Sequence, residues 1–213
     1  MAVTTILSRT NYLAKYAPNS ANAADNSRID ERLEAVSQAV MQYLGFEPND
    51  AGDWTVIAST RTYTIRDLEV EDGLRQALPF FPVTAVASVR VGSDTEGTSG
   101  TDYDLLTSGT DYRALLTPED RPSLRWVSGG RRPVEGEEVR VVMTAGWAAA
   151  PPALVHAVGT LTARSLARDP TPGISSESAG GITTTSFEPT QWPEGVKEAL
   201  RPFRQPFVRM VRS

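Results

Sequence analysis

VRVVMTAGWAAAPPALVHAVGTLTARSL, residues 139–166, joins two kinds of chain in one run. Up to Ala145 the apolar side chains of Val139, Val141, Met143 and Ala145 fall on alternate positions, the period of a strand with one buried face. Gly146 frees the backbone for a sharp turn, and Pro151-Pro152 stands where proline suits the first turn of a helix. Beyond it Leu154, Val155, Val158, Leu161, Thr162 and Leu166 recur at helical spacing, which predicts a helix over 152–168 that Asp169-Pro170 ends. A β-region therefore closes immediately before a helix.

Upstream, Asn26 or Ser27 can cap a second helix, Asp30 and Glu31 suit its positive end, and Ile29, Leu33, Val36, Val40, Tyr43 and Leu44 form its apolar stripe. Gly45 stops it, so this helix spans about 26–44. Between the two helices the chain is strand-like. Trp54 to Ile65 is rich in Thr, Val, Ile and Tyr, and Val83, Ala85, Ala87, Val89 and Val91 fall on one face of a strand with Thr84, Ser88 and Arg90 on the other. Tyr103 to Leu106, Tyr112 to Leu116 and Ser123 to Val127 follow, divided by Ser108-Gly109 and Thr117-Pro118.

A third helix is expected over about 194–203, and a short one near Ile6 to Leu13, ended by Pro18. The fold class is α+β: a small discontinuous helical bundle from residues 1–50 and 148–205, with an antiparallel β-domain, 51–147, inserted between its long helices. Residues 170–191 are loaded with Ser, Thr, Gly and Pro and read as a mobile loop. Residues 203–213 form a C-terminal tail.

With 213 residues, the chain is long enough to bury about 70% of its unfolded surface without metal or disulfide. No Cys is present, which excludes disulfide frameworks, thiol catalysis and zinc-thiolate sites. No apolar run reaches bilayer length and the N-terminus lacks the order of a signal peptide, so no membrane partner is expected. The net charge of −5 argues against wrapping nucleic acid over the whole surface. It is uneven: Lys197, Arg201, Arg204, Arg209 and Arg212 face Glu198 alone in a basic tail.

No nucleophile elbow, phosphate loop or dinucleotide fingerprint occurs, and the only histidine, His156, reads as structural or surface. Asp94, Glu96, Asp102 and Asp104 lack the order of a calcium loop and read as a solvated β-loop. Arg131-Arg132 could touch phosphate, with a charged hairpin tip as the plainer reading. The expectation is a protein that is not an enzyme and takes no cofactor or metal. The tail is more specific, because Phe203, Phe207 and Met210 interleave with Arg204, Arg209 and Arg212. Either these residues fold back onto the body or they insert into a partner, as aromatic and Arg anchors do.

The order Ile29-x-x-x-Leu33, Tyr43-Leu44-Gly45, Asp72-Gly73, Leu78-Pro79-Phe80-Phe81-Pro82-Val83, then Val141 to Trp147 and Pro151-Pro152, resembles the head-tail connector proteins of tailed bacteriophages. These are the adaptor or head completion proteins, and the adaptors of gene transfer agents are among them. The likeness covers about residues 26–205. It implies a homo-oligomeric ring, commonly of twelve subunits, in a virion assembled in host cytoplasm. That ring would sit below the portal protein at the head-tail junction, extend the DNA channel and give a stopper or tail-terminator protein a surface. DNA would pass without sequence-specific binding, and the portal-docking tail would be Phe203, Arg204, Phe207, Arg209, Met210 and Arg212.

Two alternatives stand beside it. One is another virion component, a tail terminator or stopper, which would be β-rich with little helix. The other is a carbohydrate-binding β-module, which would need Trp54, Trp126, Trp147 and Trp192 as an exposed aromatic platform.

Overall fold

The computed structural model describes residues 2–17, 23–65, 75–80, 82–92, 103–116, 121–134, 137–167, 174–179, 182–187 and 192–205, with 23–25, 174–179 and 182–187 described by backbone alone. The chain divides into two compact units, one of Met1–Val56 with Ala149–Arg204, the other built on Ile57–Ala148. The fold is α+β, with helices in the first unit and two antiparallel sheets in the second.

The helical unit begins with α1, Arg9–Tyr16, whose N-cap Ser8 accepts the Asn11 N–H. Its longest helix is α2, Ala23–Tyr43. Ile29, Leu33, Val36, Val40 and Leu44 are all buried, so the apolar stripe is the face that packs. Gly45, at φ 79°, ends the helix. There the Phe46 N–H reaches the Met41 carbonyl and the Gly45 N–H that of Gln42, which satisfies carbonyls that the helix leaves open.

Helix α3, Pro152–Ala167, packs against α2 through Leu154, Ala157, Val158 and Leu161, and α1 lies against both. Its approach to α3 depends on Gly159, where a Cβ would stand 2.3 Å from the Tyr16 ring. The start of the chain is tied down by the Ile6 N–H donating to Ser37 Oγ at 3.1 Å and by the ion pair of Arg9 with Asp30. Helix α4, Glu194–Leu200, buries Val196 and Leu200 and tightens into a 3-10 turn, Arg201–Phe203, around Pro202.

The β-unit holds β1 (Ser59–Ile65), β2 (Arg75–Ala77), β3 (Val83–Gly92), β4 (Tyr103–Leu105), β5 (Tyr112–Leu115), β6 (Ser123–Trp126) and β7 (Glu138–Ala145). One sheet has the order β1-β7-β3-β4 and the other β2-β6-β5. Val139, Val141, Met143 and Ala145 are buried, so β7, central in its sheet, keeps the alternation of its sequence. Strand β3 does not. Its pairing with β7 slips between Val83 and Ala85 and again between Val86 and Ser88, and each slip changes which side chains face the core. Ala85 and Ala87, expected on the buried face, are exposed.

Gly146 turns the chain at φ 120°, and a Cβ there would lie 2.7 Å from the Ile57 carbonyl. Its N–H reaches the Pro82 carbonyl, and the Ala58 N–H reaches that of Trp147. The insertion thus begins and ends at one place, where Ile57 bridges to Trp147. Arg61 is 1% exposed, its guanidinium 4.4 Å from the centroid of Phe80, whose ring is also 5.1 Å from that of Tyr63.

One segment read as loop is otherwise. Within 170–191, β8 (Ile174–Ala179) and β9 (Ile182–Phe187) pair antiparallel in unbroken register from Ile174 opposite Phe187 to Ala179 opposite Ile182. The physical reason is in the Ile-Thr-Thr-Thr run, which favours strand, and in Gly180-Gly181, the residue pair that a two-residue hairpin connection prefers. Strand β9 runs against α2.

Candidate functional site

The expected docking tail begins on the helical unit. Trp192, buried ahead of α4, sets its ring 5.0 Å from that of Tyr43 near the end of α2. Pro193 follows as N-cap, its carbonyl receiving the N–H groups of Val196 and Lys197. Lys197 Nζ lies 3.4 Å from the Glu194 carboxylate. After the 3-10 turn, Arg204 returns to Tyr43, its guanidinium 4.6 Å from the ring centroid. Tyr43 therefore touches the chain both before and after α4, and the helix is held as a short clamp on α2.

Of the tail residues, Phe203 is half-buried and Arg204 exposed. A guanidinium that covers a ring with its face keeps its N–H groups at the edge, in the plane, where a carboxylate pairs bidentately. Phe207, Arg209, Met210 and Arg212 lie outside the described residues.

The remaining candidates resolve into structural roles. Arg131 is engaged from two sides, with Glu137 Oε1 at 2.5 Å and Asp104 at 3.5 Å. Its hydrogen bond to Glu137 raises its pKa further, and the same bond holds the Glu137 carboxyl below the usual carboxylate range. Asp111 accepts the backbone N–H groups of Thr107 at 2.8 Å and Arg131 at 2.9 Å, which lowers its pKa too. The loop after β6 is thus latched by the half-buried carboxylates of Asp111 and Glu137 and the exposed one of Asp104. Arg131-Arg132, read as a charged hairpin tip, instead lies on the loop that leads from β6 in one sheet to β7 in the other, and Arg132 Nε donates to the Val127 carbonyl. Asp94, Glu96 and Asp102 lie outside the described residues, and among the described residues no group of three or more acidic or imidazole side chains gathers for a metal.

His156 is exposed on α3, its Nδ1 3.0 Å from the Tyr16 hydroxyl, so it serves the seat of α1. Trp126 and Trp192 are 2% and 6% exposed, and Trp54 and Trp147 are half-buried, which removes the exposed platform that a carbohydrate-binding module requires. Among the described residues no helix is long and apolar enough to cross a membrane. What sequence reasoning missed is Tyr43 as an anchor. In the sequence it stands as one member of the α2 stripe and of the Tyr43-Leu44-Gly45 run, and neither pattern points to Arg204.

No protein-family model matches the chain, and no curated protein matches it. Solved structures do. A chain of the neck of the empty gene transfer agent (GTA) particle, computed with C6 symmetry, aligns over 96% of this chain and 92% of its own, at 18% identity and a TM-score of 0.58. A chain of the virion of the native GTA particle aligns over 90% and 84%, at 18% identity and a TM-score of 0.56. A chain of the native GTA neck, computed with C12 symmetry, aligns over 94% and 92%, at 17% identity and a TM-score of 0.51. The chain therefore has, over nearly its whole length, the fold of chains that stand in gene transfer agent necks and virions.

Proposed function

We propose that this protein is a structural virion component, a head-tail adaptor that forms a ring below the portal, extends the DNA channel and joins the capsid to the stopper or tail terminator. The observation that carries the reading is the near-complete coverage of both chains in the alignment with the GTA neck, which takes in the helical unit and the inserted β-unit together. A shared subdomain alone would not give that coverage. The order of motifs along residues 26–205 supports the same reading independently.

In this reading the first and last parts of the chain form the ring-building bundle and the inserted β-unit decorates it. Closed rings of one chain use heterologous contacts, one face of each copy meeting a different face of the next. Twelve copies are the number that the resemblance implies. The acidic remainder of the chain suits a conduit through which DNA slides, since a basic bore would hold phosphates. No catalytic step is required.

Docking on the portal is assigned to Phe203, Arg204, Phe207, Arg209, Met210 and Arg212. Arg204 would keep its face on Tyr43 and offer its edge to portal carboxylates, while Phe207 and Met210 supply apolar anchors.

Negative-stain microscopy of the purified protein, alone and mixed with portal, tests the proposal. Rings that attach coaxially to portal are the expected result, and attachment should be lost when residues 203–213 are deleted. Undiminished attachment of the shortened chain removes the docking assignment, and absence of any ring or portal association removes the adaptor reading.

A further inference from the structure

Among the described residues the hairpin β8–β9 is a sheet of two strands, each with one edge that no other strand pairs, and nothing in its sequence protects those edges. Exposed edges are ordinarily blunted with Lys, Pro, a bulge or a very short strand. Here ISSESA and ITTTSF contain no Lys, Arg or Pro, each strand has six residues, and the six-pair register has no slip. In the four-stranded sheet of the same chain one edge strand, β4, has only three residues and the other, β1, carries Arg61. A lone two-stranded hairpin is also marginally stable in water.

Ala179 and Ile182 flank the two-residue connection and so form the pair that exchanges both main-chain bonds. By alternation the N–H and C=O groups of Ser176 and Ser178 on β8, and of Thr183 and Thr185 on β9, point out of the hairpin. We infer that these two edges join copies of this chain: β8 of one subunit pairs antiparallel with β9 of the next, so that the hairpins form a continuous β-ribbon around the assembly.

The occupant is a second copy because both edges belong to the same hairpin and match in length and polarity. Glu177 is the only charged residue in either strand, so like-charge repulsion does not oppose the pairing. A strand from another protein would cover one edge and leave the other open. Head-to-tail pairing uses both edges of every copy, and when the rotation closes, no edge remains. The inference rests on the ring reading above for that closure.

Hydrogen exchange measured by mass spectrometry on the full chain, as monomer and as assembled ring, tests it. Peptides covering 174–187 should exchange at least about tenfold more slowly in the ring. A ring whose 174–187 amides exchange as in the monomer overturns this inference and leaves the adaptor reading standing, whereas a chain that never forms rings counts against both. Protection that arises only when portal is added assigns the edges to a foreign strand and overturns the self-pairing.

A second measurement uses outward positions, where proline spares the hairpin's own ladder. Ser178→Pro blocks β8 and Thr183→Pro blocks β9. Each variant should stay monomeric by sedimentation, with the helical circular dichroism of the parent chain. Their equimolar mixture should stop at pairs, each joined by its one intact edge of either kind. Rings from either variant alone overturn the inference.

Discussion

The guanidinium of Arg204 lies 4.6 Å from the centroid of the Tyr43 ring, joining the last described turn of the chain to the end of α2. Trp192 reaches the same ring from the other side of α4 in the sequence, so one tyrosine fixes both ends of a seven-residue helix. Replacing Arg204 by Ala should cost about 0.5–1 kcal/mol, as an exposed cation–π contact does. Tyr43→Ala should cost more and raise exchange across 194–203 without unfolding the β-unit. Hydrogen exchange of the two variants checks both statements.

Gly159 is needed where α1 meets α3. Gly159→Ala places a methyl group against the Tyr16 ring and forces it from the His156 imidazole. Overpacking of this kind costs about 1–3 kcal/mol, against the ~1 kcal/mol that alanine gains over glycine in a helix. In a Tyr16→Ala background the same substitution should become neutral or stabilising. A double-mutant cycle by chemical denaturation gives the sign.

Gly146 has no tolerated replacement. Its φ of 120° and the Ile57 carbonyl 2.7 Å from any Cβ act together, and Gly146→Ala should lose about 1–3 kcal/mol or more. Lowered thermal stability and poor recovery of soluble protein are the expected readings, while Gly52→Ala, which meets no atom, is strained by its φ of 83° alone and should lose less.

Acid should loosen the β-unit. Asp111 and Glu137 have folded pKa values below their unfolded ones, the first through backbone N–H groups and the second through Arg131. The stability they contribute is present above the unfolded values, near pH 4, and is lost as pH falls through the folded ones. Thermal unfolding between pH 6 and about pH 2.5 should show this, and Asp111→Asn should flatten the dependence and lower stability at neutral pH.

Iodide should quench little of the tryptophan emission. Trp126 and Trp192 are buried, so only Trp54 and Trp147 offer partial access. Strong quenching of all four would restore the aromatic-platform reading.

Where one periodicity ran unbroken, the fold was legible. Ile29 to Leu44 and Val139 to Ala145 name their buried faces because every turn or second residue is apolar and large. Strand β3 misled because Ala85 and Ala87 are too small to report a face, and the slips against β7 leave no mark in the alternation of β3 itself. The hairpin at 174–187 was hidden because hydroxyl side chains show no alternation, leaving only the β-branched run and Gly180-Gly181 as signals. At the candidate site the Arg and Phe residues announced themselves by composition. The ring on which Arg204 rests is far away in sequence, and no local pattern connects Tyr43 to it.

Because Ile57 bridges Trp147, the 89 residues between them leave and rejoin the chain at a single doorway. An ancestor could acquire, trade or discard that cassette with little disturbance to the helices on either side. Protein engineers could likewise graft a foreign module there and keep the rest of the polypeptide intact.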